Sequence, residues 1–185
     1  MATPPRPPAA VPATPAAASA GSAAPAAAPA APPSPAEALA SARQVEELAD
    51  RLSACADSIH ERVMRDIGRH RGKPVPESEQ AAARALLDAE MELRQRANRL
   101  YDDAAACIVS SLGRPQAQLV KLTLDAAAKI RTITRIGDGI TLVARLLGLA
   151  TAASTGQVLP VLAAIERLEL QLDTIAAHNP PPPAA

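Results

Sequence analysis

Aliphatic side chains recur at spacings of three and four residues through most of the chain after residue 36, and this pattern limits the fold more than any other feature. The first run consists of Val45, Leu48, Leu52, Cys55, Ile59, Val63 and Ile67. Such spacing places the side chains on one face of an α-helix. A helix with one apolar face must bury that face against a neighbour, and no alternating strand pattern competes. The sequence therefore predicts an all-α fold.

The limits of the periodic stretches predict four long helices, over about residues 36–71, 77–112, 115–152 and 157–178. Residues that start or stop helices stand near these limits: Ser34, Pro35, Gly72, Pro74, Pro76, Gly113, Pro115 and Gly156. The connections are short, and short connections make consecutive helices antiparallel neighbours. We expect an antiparallel four-helix (up-down) bundle.

The third predicted helix contains two glycines around an aspartate, at Gly137, Asp138 and Gly139. The apolar stripe continues through them in phase, which favours a kinked helix over a complete break. Two glycines inside a helix cost about 1 kcal/mol each relative to alanine. These three residues are therefore predicted to form a hinge.

Both ends of the chain are poor in large apolar residues. Residues 1–35 are almost entirely Ala, Pro, Ser, Thr and Gly, with Val11 as the one branched aliphatic residue, and residues 179–185 are rich in proline. Such segments bury too little surface to offset the entropy of ordering, so we expect a disordered tether and a disordered tail. The first segment lacks the apolar run of a secretory signal, which predicts a cytoplasmic location. Signal-peptide-independent secretion and membrane association stay open as alternatives.

Charge and aromatic content argue against nucleic acid as a partner. The formal net charge is +0, and the chain has no Trp, no Phe and one tyrosine, Tyr101. Phosphate binding needs uncompensated cations, and single-stranded nucleic acid is usually stacked on aromatic rings. The core must be built from aliphatic residues instead.

The strongest local charge bias lies over residues 60–73. Its cations outnumber Glu61 and Asp66 and form a candidate patch for an anionic partner: Arg62, Arg65, Arg69, Arg71 and Lys73. Cations are also favoured at a helix C-terminus by the helix dipole, and this simpler explanation is preferred. An acidic protein or an anionic membrane is the alternative.

Residues 140–164 carry a single charge, Arg145, and are long enough to span a bilayer. The arginine offsets much of the gain from inserting the aliphatic residues, so we favour a buried hairpin of two helices. A membrane-inserting hairpin over residues 136–164 is the alternative. The residues predicted to form the hairpin's apolar surface are Leu142, Val143, Leu146, Leu147, Leu149, Val158, Leu159 and Leu162.

We find no catalytic, cofactor-binding or metal-binding motif. Asp57 and His60 have the spacing of a metal-binding pair but lack the repeat that a bundle metal site needs. Glu90 lies on the apolar seam of the second helix, where it is expected to pair with an arginine across the interface or set the helix register. Cys55 and Cys107 are predicted to be buried and reduced, because the hairpin register separates them by about 20 Å.

These features predict a non-enzymatic helical-bundle module without cofactors, which binds another protein through a helix face or associates with itself. The alternative is a membrane-active bundle, such as a secreted effector or a pore-former, in which residues 136–164 leave the core.

Overall fold

The computed structural model describes residues 37–70 and 72–178, and these residues form an all-α fold. The helices are α1 (Ala42–Arg69), α2 (Glu77–Asp102), α3 (Gln116–Thr132), α4 (Ile136–Ala153) and α5 (Val158–His178). The tether and the tail predicted for residues 1–35 and 179–185 lie outside the described residues. The all-α prediction is confirmed, but the described part of the chain has five helices where four were expected.

The five helices form a ring around one aliphatic core. Helix α1 packs against α2 and α3, α4 packs against α2 and α5, and α5 closes the ring by contacting α3. Side chains from α1, α2, α4 and α5 meet at the centre with almost no exposed surface: Leu48, Leu52, Ile59, Leu93, Leu100, Leu142, Leu146, Leu149, Ile165, Leu168 and Ile175. Burial of each such side chain stabilises the fold by about 1.5–3 kcal/mol.

Side-chain pairs define the direction of the helices. Asp57 meets Arg94 and His70 meets Glu79, so α1 and α2 are antiparallel. In contrast, the side chain of Gln116 donates to the carbonyl of Gln44, and Arg62 donates to the carbonyl of Ile130. The separation in sequence is about 70 positions at both contacts, so residue numbers rise together along the two helices, and α1 and α3 run parallel. The C-terminal ends of α1 and α3 therefore lie at the same end of the ring.

The third predicted helix is broken rather than kinked, and the break precedes the glycines. Helix α3 ends at Thr132, and Ile133 and Arg135 have extended backbone angles. The guanidinium of Arg62 donates to the carbonyls of Ile130 and Ile133, which a continuing helix would have used itself. A run of β-branched residues at 132–134 also weakens the helix. The predicted kink is therefore not observed at Gly137 and Gly139, which lie in the first turn of α4, and their role as a hinge stays a prediction.

The first and second helices are also shorter than predicted. Helix α1 begins at Ala42, where Ser41 caps it by accepting from the amide of Gln44 at 3.4 Å. Helix α2 ends at Asp102, followed by a second aspartate. Two carboxylates at this position oppose the negative end of the helix dipole, which favours termination.

The segments outside these helices cover one end of the core. Leu39 is fully buried, and its carbonyl accepts from the amide of Val109 at 2.9 Å. Residues 103–115 fold back over the core and bury Cys107 and Leu112. We call this the closed end of the ring. The opposite end, where α1 and α3 finish, is called the groove end.

Candidate functional site

The groove end contains an apolar groove of about 580 Å³ between α1, α2, α3 and α4. One wall is the last part of α1, with Ile59, Val63 and Ile67, and the facing wall is the first part of α2. The aliphatic lining residues of the second wall are Ala82, Ala83, Leu86 and Leu87 of α2, with Val75 in the connection before the helix. Ile130 and Ile133 of α3 and Val143 of α4 contribute to the lining. The site is thus a concave aliphatic surface bounded by helix ends.

The groove exists because the two halves of α2 are buried to different degrees. Leu93, Ala97 and Leu100 in the second half have no exposed surface, whereas Ala83 and Leu87 in the first half are only partly buried. Small alanine side chains on this stretch leave space between α2 and the end of α1. An apolar surface that is concave and incompletely covered is the usual form of a binding site.

A buried arginine supports the floor of the groove. Arg62 is 9% exposed, and its guanidinium donates to the carbonyls of Ile130 and Ile133 and to Asp66 at 3.2 Å. These bonds satisfy carbonyls at the C-terminus of α3, where the helix dipole favours a positive charge. Arg62 therefore holds α1 against α3 and fixes the break before α4.

The other cations predicted to form a patch have separate positions. Arg65 is exposed and donates to the carbonyl of Arg131 at 3.1 Å, and Arg69 pairs with Asp66 at 3.1 Å. Lys73 is exposed in the connection to α2, and Arg71 lies outside the described residues. The predicted patch is thus not one continuous surface, because some of its cations bond to α3 and the others face solvent.

Two histidine–carboxylate pairs lie at or beside the mouth of the groove. His70 and Glu79, both on the wall, join the end of α1 to the start of α2 at 2.7 Å. His178 and Asp138 join the end of α5 to the start of α4 at 2.8 Å. Gly139, next to Asp138, is buried and lines the groove. The structure therefore brings the predicted hinge segment and the predicted basic segment to the same groove.

A further charged cluster joins α1 and α2 beyond the groove. Glu90 is 9% exposed and bonds to Arg94 at 2.9 Å and to His60 at 3.2 Å. Arg94 also donates to Asp57 at 2.8 Å, and the hydrogen bonds that Arg94 donates to Glu90 and Asp57 raise its pKa. The arginine partner of Glu90 is thus on its own helix, and its partner across the interface is a histidine, so the predicted pairing with an arginine across the interface is wrong. Among the described residues, no group of three or more His, Cys, Asp or Glu side chains is arranged to hold a metal ion.

Most of the predicted hairpin surface belongs to the core. Leu142, Val143, Leu146 and Leu149 are buried, and Leu147, Val158 and Leu162 are partly buried. Leu159 is the exception, with 78% of its surface exposed. Within the described residues, α4 is the one helix whose length and composition would permit a membrane crossing, and such a helix is equally typical of a soluble core.

Both cysteines are buried and unpaired, as predicted. Burial raises the pKa of the Cys55 thiol to about 12, and the nearby Arg131 lowers it by a smaller amount. Burial also raises the pKa of Cys107, with Asp103 adding to the effect. A thiol with a raised pKa is a poor nucleophile, because the thiolate is the reactive form.

Comparisons with protein-family models, curated proteins and solved structures find no match to this chain.

Proposed function

We propose that this chain is a non-enzymatic protein–protein interaction module, built as a helical bundle, whose groove receives the apolar face of a helix. The helix belongs to another protein or to a second copy of this chain. The observation that carries the proposal is the aliphatic groove of about 580 Å³ at the groove end. Binding in such a groove removes apolar surface from water on both partners, which is the dominant favourable term in most protein association.

The length of the groove fits a helix. Its wall on α1 extends from Ile59 to His70, which corresponds to about 16 Å along the helix axis. Its wall on α2 extends from Glu79 to Leu87, or about 12 Å. Apolar side chains at positions i, i+3, i+4 and i+7 of a bound helix span about 10 Å, so all of them enter a groove of this length.

The polar side chains on the walls support binding rather than catalysis. Asp66 is bonded to Arg62 and Arg69, and Glu79 is bonded to His70. The side-chain amide of Gln80 donates to the carbonyl of Val75 at 2.9 Å. A general acid or base must be able to reach a substrate proton, and these groups are committed to structural partners.

A peptide-binding experiment tests the proposal. The probe is a labelled helical peptide of about 18 residues, with Leu and Ala on one face and Gln elsewhere, and binding to the full chain is followed by fluorescence polarisation. Ala83 lines the groove, so Ala83→Trp fills it and should abolish binding. Ala85 is exposed on the same helix and does not line the groove, so Ala85→Trp is the matched control.

Two results would contradict the proposal: absence of binding by the wild-type chain, or equal loss with both tryptophan variants. Circular dichroism checks that each variant stays helical. Sedimentation of the same proteins tests the second-copy form of the proposal. If another copy occupies the groove, the wild-type chain forms a dimer or larger oligomer and Ala83→Trp is a monomer.

The second candidate function is a membrane-active bundle in which α4 and α5 leave the core and insert. The observation in its favour is the apolar character of α4, together with the exposed Ile136 and Ile140 at its start. The fully buried Leu142 and Leu146 weigh against it, because insertion has to replace all of their core contacts. Flotation with anionic phospholipid vesicles separates the two functions, since an interaction module stays in the aqueous fraction.

A further inference from the structure

Three exposed cations lie on or beside the lining of the groove. Arg84 is itself a lining residue, on the α2 wall. Lys73 stands in the connection between His70 and Val75, both of which line the groove, and Arg135 lies between two lining residues at the break before α4. Arg84 therefore lines the groove, and Lys73 and Arg135 border it along the chain.

The charge of these cations is not compensated within the described part of the chain. None of the three forms an ion pair with a carboxylate there, and the nearest polar partner of Arg84 is the neutral Gln80, at 3.5 Å. The two acids on the walls, Asp66 and Glu79, already have cationic or histidine partners. Glu77 and Asp88 beside the lining are also exposed and form no ion pair among the described residues. Among the lining residues themselves, however, the three arginines Arg62, Arg69 and Arg84 outnumber the two acids, so the lining carries a net positive charge.

Building on the proposed function, we propose that the helix received by this groove is acidic, with carboxylates flanking its apolar face. The apolar face occupies the space between α1 and α2, and the carboxylates meet Lys73, Arg84 and Arg135. The concave shape of the groove favours a helix over a lipid surface, because a flat bilayer does not reach Ala83 and Leu87, which are half-buried on the α2 wall. Exposed ion pairs add modest affinity each and mainly select the partner and its orientation.

The test uses three labelled helical peptides of about 18 residues with the same Leu and Ala face and with Glu, Gln or Lys at the flanking positions. Binding to the full chain is measured by fluorescence polarisation at low and at high salt. The Glu peptide is expected to bind about tenfold more tightly than the Gln peptide, and the Lys peptide more weakly than both. The advantage of the Glu peptide should shrink at high salt, because salt screens exposed charges.

Paired triple variants test the named cations. Replacing Lys73, Arg84 and Arg135 with Gln should remove the advantage of the Glu peptide while the Gln peptide binds as before. The control replaces Arg43, Arg99 and Arg167 with Gln. These arginines are also exposed and unpaired in the described residues, but they do not line the groove. Replacing all three removes the same formal charge as the test variant.

The outcomes separate this inference from the proposed function. If the Gln peptide binds in a manner sensitive to Ala83→Trp but the Glu peptide binds no better, the acidic partner is excluded and the helix-binding groove stands. If no peptide binds, both fail. If vesicles of anionic phospholipid bind the wild-type chain but not the Lys73, Arg84 and Arg135 variant, and the Glu peptide does not compete, the cations serve a lipid surface and the inference is overturned.

Discussion

The closed end and the groove end of the ring enclose the same core but cover it differently. At the closed end, Leu39 and residues 103–115 lie over the core, with Val109 and Leu112 buried. At the groove end, residues 72–76 connect α1 to α2 without covering the core, and the walls of the groove stay partly exposed. Among the described residues, one end of the core is therefore covered by the connections, and the other is partly open.

The composition of the connections explains this difference. The connection between α2 and α3 contains Ala104, Cys107, Val109 and Leu112, all of which are buried. The connection between α1 and α2 has a single aliphatic residue, Val75, beside prolines and charges. A connection without large apolar residues gains nothing by folding over a core. The openness of the groove between α1 and α2 thus follows from what the connection between these two helices lacks.

The largest expected effect comes from removing the seal at the closed end. Leu39→Ala should lower the free energy of unfolding by about 3 kcal/mol, because Leu39 is fully buried and its loss leaves a cavity. The matched variant at the groove end, Ile67→Ala, should cost less than about 1 kcal/mol, since Ile67 is 45% exposed. Urea unfolding followed by circular dichroism measures both. Equal costs would show that the two ends are equally sealed.

An intermediate effect is expected from the arginine at the floor of the groove. Arg62→Met keeps much of the apolar stem but loses the bonds to α3, and should cost about 2 kcal/mol. Arg65→Met removes one exposed bond to the carbonyl of Arg131 and should cost less than about 1 kcal/mol. Hydrogen exchange should also accelerate at the amides of residues 133–136 in the first variant only. Unchanged exchange there would mean that Arg62 does not hold the break.

The smallest effect concerns two glycines at or near the closed end. Gly156 has a φ of +63°, and an added Cβ would lie 2.9 Å from the carbonyl oxygen of Ala106, so Gly156→Ala should cost about 1–2 kcal/mol. Gly148 is helical and has free space around it, so Gly148→Ala should stabilise by up to about 1 kcal/mol. The melting temperature should therefore fall in the first variant and rise in the second. A rise in both would mean that the contact at Gly156 is loose.

Local periodicity was sufficient to predict the all-α fold and many of the buried positions, but not the number of helices. The stripes correctly place Leu52, Ile59 and Leu168 in the core. They could not show that α3 ends at Thr132, because the residues after it continue the stripe. At the break, the carbonyls of Ile130 and Ile133 accept from Arg62, which is about 70 positions away in the sequence and invisible to a local pattern.

The groove also could not be predicted from local sequence patterns. Leu86 and Leu93 share one heptad position, yet Leu93 is fully buried and Leu86 lies on an open wall. Their difference depends on how the other helices pack around each half of α2, which neither residue encodes. The charge bias indicated residues 60–73, but Arg84, on a different helix, also lines the groove.

The β-bridge between Glu37 and Pro115 determines at which end of the molecule a surface could be attached near the start of the described residues. It places the first described residue at the closed end, and α1 then carries the chain about 42 Å to the mouth of the groove. A sensor chip or bead attached at Glu37 would consequently lie at the end opposite the mouth, whereas one attached at His178 would lie beside Asp138 and crowd that same opening.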